Sequence, residues 1–111
     1  MAYDAGCNFA CGGSWEAPSN EFPNGRLIAG NGLVKGKKQG GAVRLTMLVA
    51  VSPENIACVI TPRAGYPSNK SFCVTQVDNV TRDVKFDGGD GLVDQSFDFV
   101  FVKFGQPQQG T

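Results

Sequence analysis

The cysteines carry the most chemical potential in this sequence. Cys7 and Cys11 stand in a C-x-x-x-C spacing, while Cys58 and Cys73 flank a Pro-rich stretch. A zinc tetrathiolate favours C-x-x-C knuckles in both halves, and Cys58 and Cys73 form none, so a metal centre is not expected. The chain has no histidine, which removes the usual proton shuttle at neutral pH and the commonest nitrogen ligand for zinc or copper. Two readings of the thiols stay open. Cys58 and Cys73 are reduced thiols in neighbouring strands, or they form a disulfide while Cys7–Cys11 staples the N-terminal segment; sequence does not choose among the pairings.

Other polar groups cluster without forming a catalytic set. Asp87-Gly88-Gly89-Asp90-Gly91, with Asp94 behind it, has carboxylates and flexible backbone but lacks the terminal bidentate Glu of a calcium loop. A glycine-rich turn between strands accounts for the same residues. Lys35, Lys37 and Lys38 make a local basic patch in a glycine-rich context that lacks the strand-loop-helix setting of a phosphate-binding loop. Nucleophile elbows and dinucleotide fingerprints are absent, and no catalytic, cofactor-binding or metal residue is assigned. Arg63 and Tyr66, in the loop PRAGYPSN, are the candidates for contacts with a sugar ring, because an aromatic face suits the apolar side of a pyranose.

The elements that must position these groups are strands. Fifteen glycines and six prolines in 111 residues are too many for a mostly helical protein. Residues 1–41 are rich in Gly, Asn and Pro and show no sustained apolar period, which predicts an extended arm that either wraps its own domain or, the favoured reading, packs Trp15, Phe22, Leu27 and Ile28 on a neighbouring subunit. Residues 42–105 read as one antiparallel all-β sandwich, jelly-roll-like, with strands over 42–51, 56–61, 71–77, 82–87 and 95–104. Residues 106–111 are expected to form a C-terminal tail.

The strand over 95–104 sets Phe97, Phe99 and Phe101 on one face and Val100, Val102 and Phe104 on the other. Small cores seldom cover both faces of such a strand, so one face is expected to meet another copy of the chain. Formal net charge is zero, which provides no global field for nucleic acid or an anionic membrane. Charge is nonetheless segregated: residues 26–70 are basic apart from Glu54, whereas residues 78–103 are rich in aspartate. Attraction between these stretches on different subunits is the expectation that this segregation raises. The opening MAYDAGCNFACGG has neither a basic nor an apolar region of the export type, and a soluble chain without an export signal is expected.

One family resemblance accompanies this reading. IACVITP (Ile56–Pro62), FCVTQV (Phe72–Val77), DVKF (Asp83–Phe86) and FDFVFVKFG (Phe97–Gly105) resemble the strand pattern of phage tail-fibre terminal domains and related H-type lectin-like sandwiches. The closing strand lacks the Trp and small residues usual there. The resemblance implies a non-enzymatic virion accessory of a tailed phage, a capsid decoration or cement protein or a fibre-tip component. Such a protein is expected to assemble in the host cytoplasm as a homo-oligomer, a trimer, alongside other virion proteins. A module that binds surface glycans is the alternative the resemblance implies.

Overall fold

The computed structural model describes residues 7–63 and 71–104. These residues form β1 Cys7–Glu16, β2 Arg26–Asn31, β3 Leu33–Gln39, β4 Ala42–Met47, β5 Ile56–Pro62, β6 Phe72–Gln76, β7 Thr81–Asp87, β8 Leu92–Val93 and β9 Phe97–Phe104. A single 3-10 turn, Pro53–Asn55, leads into β5. No helix among the described residues is long and apolar enough to cross a membrane.

The strands pair antiparallel throughout and build two sheets, ordered β2-β1-β9-β5 and β3-β4-β7-β6, with β8 added on β7. The all-β antiparallel sandwich expected from the pattern is the fold. Strand alternation explains its interior. Phe97, Phe99 and Phe101 point inward from β9 and are at most 2% exposed, with Cys11 and Trp15 beside them on β1. Leu45, Met47, Val84 and Phe86 fill the opposing layer from the other sheet. Tilted ring contacts run continuously from Phe72 through Phe86, Phe97 and Phe99 to Phe101, with centroids 5.3–5.8 Å apart, and so tie β6 and β7 to β9 across the sandwich. Each large apolar side chain buried in this way contributes about 1.5–3 kcal/mol.

The N-terminal segment differs from the expected arm. Residues 7–39 form β1, β2 and β3 within the sandwich, and β1 pairs along its whole length with the central strand β9. Trp15, 1% exposed, lies opposite Phe97 in the core of its own chain, and Leu27 packs against the same cluster. Glycine is what concealed these strands in the sequence. Gly13 faces inward where an alternating pattern calls for an apolar residue, and a Cβ there would collide with the Ala29 carbonyl beside the β1–β2 bulge. Gly32 alone connects β2 to β3, with φ of 73°, and carries the chain from one sheet to the other. Phe22 is half-buried beneath the Arg26 guanidinium, 3.8 Å from its ring centre, and Ile28 at the bulge remains exposed.

Candidate functional site

The two outer faces of the sandwich are chemically unlike. The register of β3, β4, β7 and β6 aligns Lys35, Thr46 and Thr81 in one row across the strands, and Lys37, Arg44, Asp83 and Thr75 in the next. This is the polar, solvated face expected of an antiparallel sheet covered on one side only. Arg44 holds Asp83 with a two-pronged contact, Nε to Oδ1 at 2.8 Å and Nη2 to Oδ2 at 3.0 Å, and this bond heads the causes that raise the Arg44 pKa.

The outer face of the β2-β1-β9-β5 sheet is apolar over half its length. Register places Phe9, Val102 and Ala57 in one row and Gly12, Val100 and Val59 in the next, with Phe104 beyond them on β9. Phe9 is 57% exposed, Val59 55%, Phe104 45% and Val100 42%. Isolated exposed apolar residues are ordinary on protein surfaces, but these lie next to one another across three paired strands and form one exposed apolar patch. The sequence singled out the two-sided strand. The structure assigns Phe97, Phe99 and Phe101 to the core and leaves Val100 and Phe104 uncovered.

A polar cluster borders this patch at the other end of the same face. Ser14 Oγ donates to Asp98 Oδ1 at 2.5 Å, and Arg63 donates to the same oxygen from Nε at 3.3 Å and Nη2 at 2.9 Å. The Ser14 hydroxyl first, and then Arg63, hold the Asp98 carboxyl below its ordinary value. Main-chain bonding between Arg63 N–H and the Ser96 carbonyl, 2.9 Å, fixes this residue at the end of β5. Arg63 is thus engaged by its own chain, while Tyr66, its partner in the expected glycan loop, lies outside the described residues.

The segregated charges also meet within the chain. Lys38 Nζ reaches Asp94 Oδ1 at 2.8 Å, Arg44 meets Asp83, and Arg63 meets Asp98. Three residues of the basic stretch therefore pair with three of the acidic stretch within the chain. The lysine patch itself divides by alternation: Lys35 and Lys37 point outward while Lys38 points towards Asp94. At the Asp-Gly loop the Asp87 carboxylate accepts the Gly89 N–H at 2.8 Å, and Gly89 and Gly91 have φ of 98° and 134°. That is turn chemistry, and no group of three or more metal-ligating side chains occurs among the described residues.

Cys11, Cys58 and Cys73 are free thiols. Cys58 sits on β5 and Cys73 on β6, the outermost strands of different sheets, rather than on paired neighbours. Cys11 and Cys58 flank Phe101 in the register, two strand spacings or about 9.5 Å apart, too far for a disulfide. Burial pushes the Cys11 thiol up to about 12, with Cys58 contributing, and burial raises Cys58 as well. The side chain of Cys7 lies outside the described residues. Compared with known proteins, the chain matches no family model, no curated protein and no solved structure.

Proposed function

We propose that this protein is a non-enzymatic structural subunit that assembles with copies of itself through the outer face of the β2-β1-β9-β5 sheet. The observation that carries this reading is the patch of Phe9, Val59, Val100 and Phe104, each more than two-fifths exposed on adjacent strands of a sheet whose counterpart has a polar outer face. A second copy is the occupant favoured here. Its polar rim of Ser14, Asp98 and Arg63 is already satisfied internally, so little hydrogen bonding is left for a partner to complete. Net charge is zero, so long-range repulsion does not oppose the meeting of two identical chains. Covering the exposed halves of these side chains contributes roughly 1 kcal/mol each, offset by the cost of association.

The setting that fits such a subunit is the surface of a virion, as a decoration, cement or fibre-tip component of a tailed phage. The strand pattern of residues 56–105 supports that setting, and a small antiparallel sandwich with a self-adhesive face is suited to it. Assembly then proceeds by face-to-face packing of sheets and not by exchange of residues 7–41, which the sandwich uses internally.

Sedimentation velocity over a range of concentrations tests this. The wild-type chain is expected to shift to a discrete oligomer, and Val100→Glu to remain monomeric with an unchanged circular dichroism spectrum. A wild-type chain that stays monomeric at all concentrations, or a Val100→Glu variant that still assembles, would overturn the proposal.

A further inference from the structure

The two edges of the sandwich differ among the described residues. Gly32 joins β2 directly to β3 where the sheets meet, whereas β5 and β6 form the opposite edges, with a cleft of about 350 Å³ between them. That volume falls at the small end of the range for ligand pockets, about 300–1,000 Å³. Ile56 and Cys58 line it from β5, and Phe72 and Val74 from β6. Its polar lining groups are Gln76 and Arg82.

Arg82 is unusual among these. It is only 2% exposed, it projects into the interior from β7 opposite Leu45, and carbonyl dipoles rather than a carboxylate meet its charge. Nη1 donates to the Asp78 carbonyl at 2.6 Å and the Thr81 carbonyl at 3.2 Å, and Nη2 donates to the Val51 carbonyl at 2.9 Å. A guanidinium carries five N–H donors, so Nε–H and the second Nη2–H remain. Those are the same two atoms with which Arg44 grips the carboxylate of Asp83. Arg82 lines the cleft, and its hydrogen bonds to the three carbonyls use Nη1 and Nη2 and leave Nε unengaged.

The hydrogen bonds of Arg82 all go to main-chain carbonyls, and none goes to a carboxylate. Cys11 and Cys58 both feel its positive field, yet burial outweighs it and keeps both thiols protonated at neutral pH. Asp78 in the adjoining turn is exposed; its carboxylate accepts the Val80 N–H at 2.8 Å, and this bond first, with the Arg82 charge as a smaller contribution, lowers its pKa. Transfer of a cation from water to an apolar interior is costly, and an anion arriving beside it relieves that cost.

We propose that the cleft between β5 and β6 binds a medium-chain aliphatic carboxylate, its head group on Arg82 and its hydrocarbon tail against Ile56, Cys58, Phe72 and Val74. The apolar walls select the tail, and the fork of Arg82 selects a planar anion. This site is separate from the apolar face on the outside of the β2-β1-β9-β5 sheet, and neither proposal depends on the other.

Calorimetric titration of the full chain with octanoate, 1-octanol and acetate tests it. Octanoate is expected to bind saturably and at least tenfold more tightly than 1-octanol, which has the tail without the charge. Acetate, with the charge and no tail, is expected not to compete. Equal affinity for octanol and octanoate, or no saturable octanoate binding, would overturn the proposal. Val74→Trp, which fills the cleft from an edge strand, is expected to abolish octanoate binding without a change in circular dichroism. Undiminished binding by that variant would also overturn it. Substitution of Arg82 is less informative because it also releases the Val51, Asp78 and Thr81 carbonyls.

Discussion

Trp15→Ala separates an N-terminal segment that serves a neighbour from one that builds its own domain. If Trp15 belonged to an arm, its removal would weaken assembly and leave the isolated domain at its original stability. In the structure the indole is 1% exposed, sits opposite Phe97, and belongs to the same cluster as Leu45, Met47 and Phe99. Truncation of a buried Trp or Phe to Ala costs about 3–5 kcal/mol through lost transfer energy and the cavity left behind. Domains have total stabilities of about 5–15 kcal/mol, so the substitution removes a large share. At about 4 °C or more per kcal/mol for a chain of this size, the melting temperature should fall by roughly 12–20 °C. Far-ultraviolet circular dichroism is the suitable assay, since Trp15 is the only tryptophan and the variant has no indole signal. A loss below about 1 kcal/mol, the size typical of surface substitutions or slightly above, would refute the assignment of Trp15 to the core.

Three further outcomes are expected. Because the folded-state pKa of Asp98 is depressed, its contribution to stability is fully present above the ordinary aspartate value near 3.9 and is lost as pH falls through the lower folded value. Wild type and Asp98→Asn should therefore differ in melting temperature at neutral pH and converge in acid; a difference that persists at low pH would contradict this. Arg44→Met leaves the Asp83 carboxylate, 8% exposed, without its two-pronged partner, and should lower the melting temperature more than Lys37→Met on the same face. Among Cys11, Cys58 and Cys73, alkylation by iodoacetamide followed by peptide mass spectrometry should modify exposed Cys73 first. Cys11, whose thiol is buried and raised to about 12, should react only on unfolding.

Strand identity was legible from the sequence wherever alternation was carried by side chains. The run Phe97 to Phe104 declared both its period and its two greasy faces, and Ser52-Pro53-Glu54-Asn55 marked the turn before β5 where the 3-10 turn stands. The strand expected over 42–51 ends at Met47, since Leu48–Ala50 leave the sheet and Val51 returns to the interior with its N–H on the Asn79 carbonyl and its own carbonyl on Arg82. That anchor joins residues far apart in the chain and has no local signature. Arg82 likewise reads as an ordinary strand cation, and its burial beside Cys11 and Cys58 depends on three strands brought together by folding.

What the sequence determined by itself was the class of structure: alternating apolar residues, many turn formers and a chain too short for two cores require strands packed in layers. Tertiary structure decided how those strands were shared. Glycines at inward positions of β1 and β3 carry no hydrophobic signal, so only the close approach of Gly13 to Ala29 and of Gly36 to Leu27 shows that these segments are core strands. The same long-range pairing turned the basic and acidic stretches towards each other within one chain. It also left Val100 and Phe104 in water while enclosing Phe99 and Phe101, because one sheet face finds a partner layer inside the molecule and the other does not.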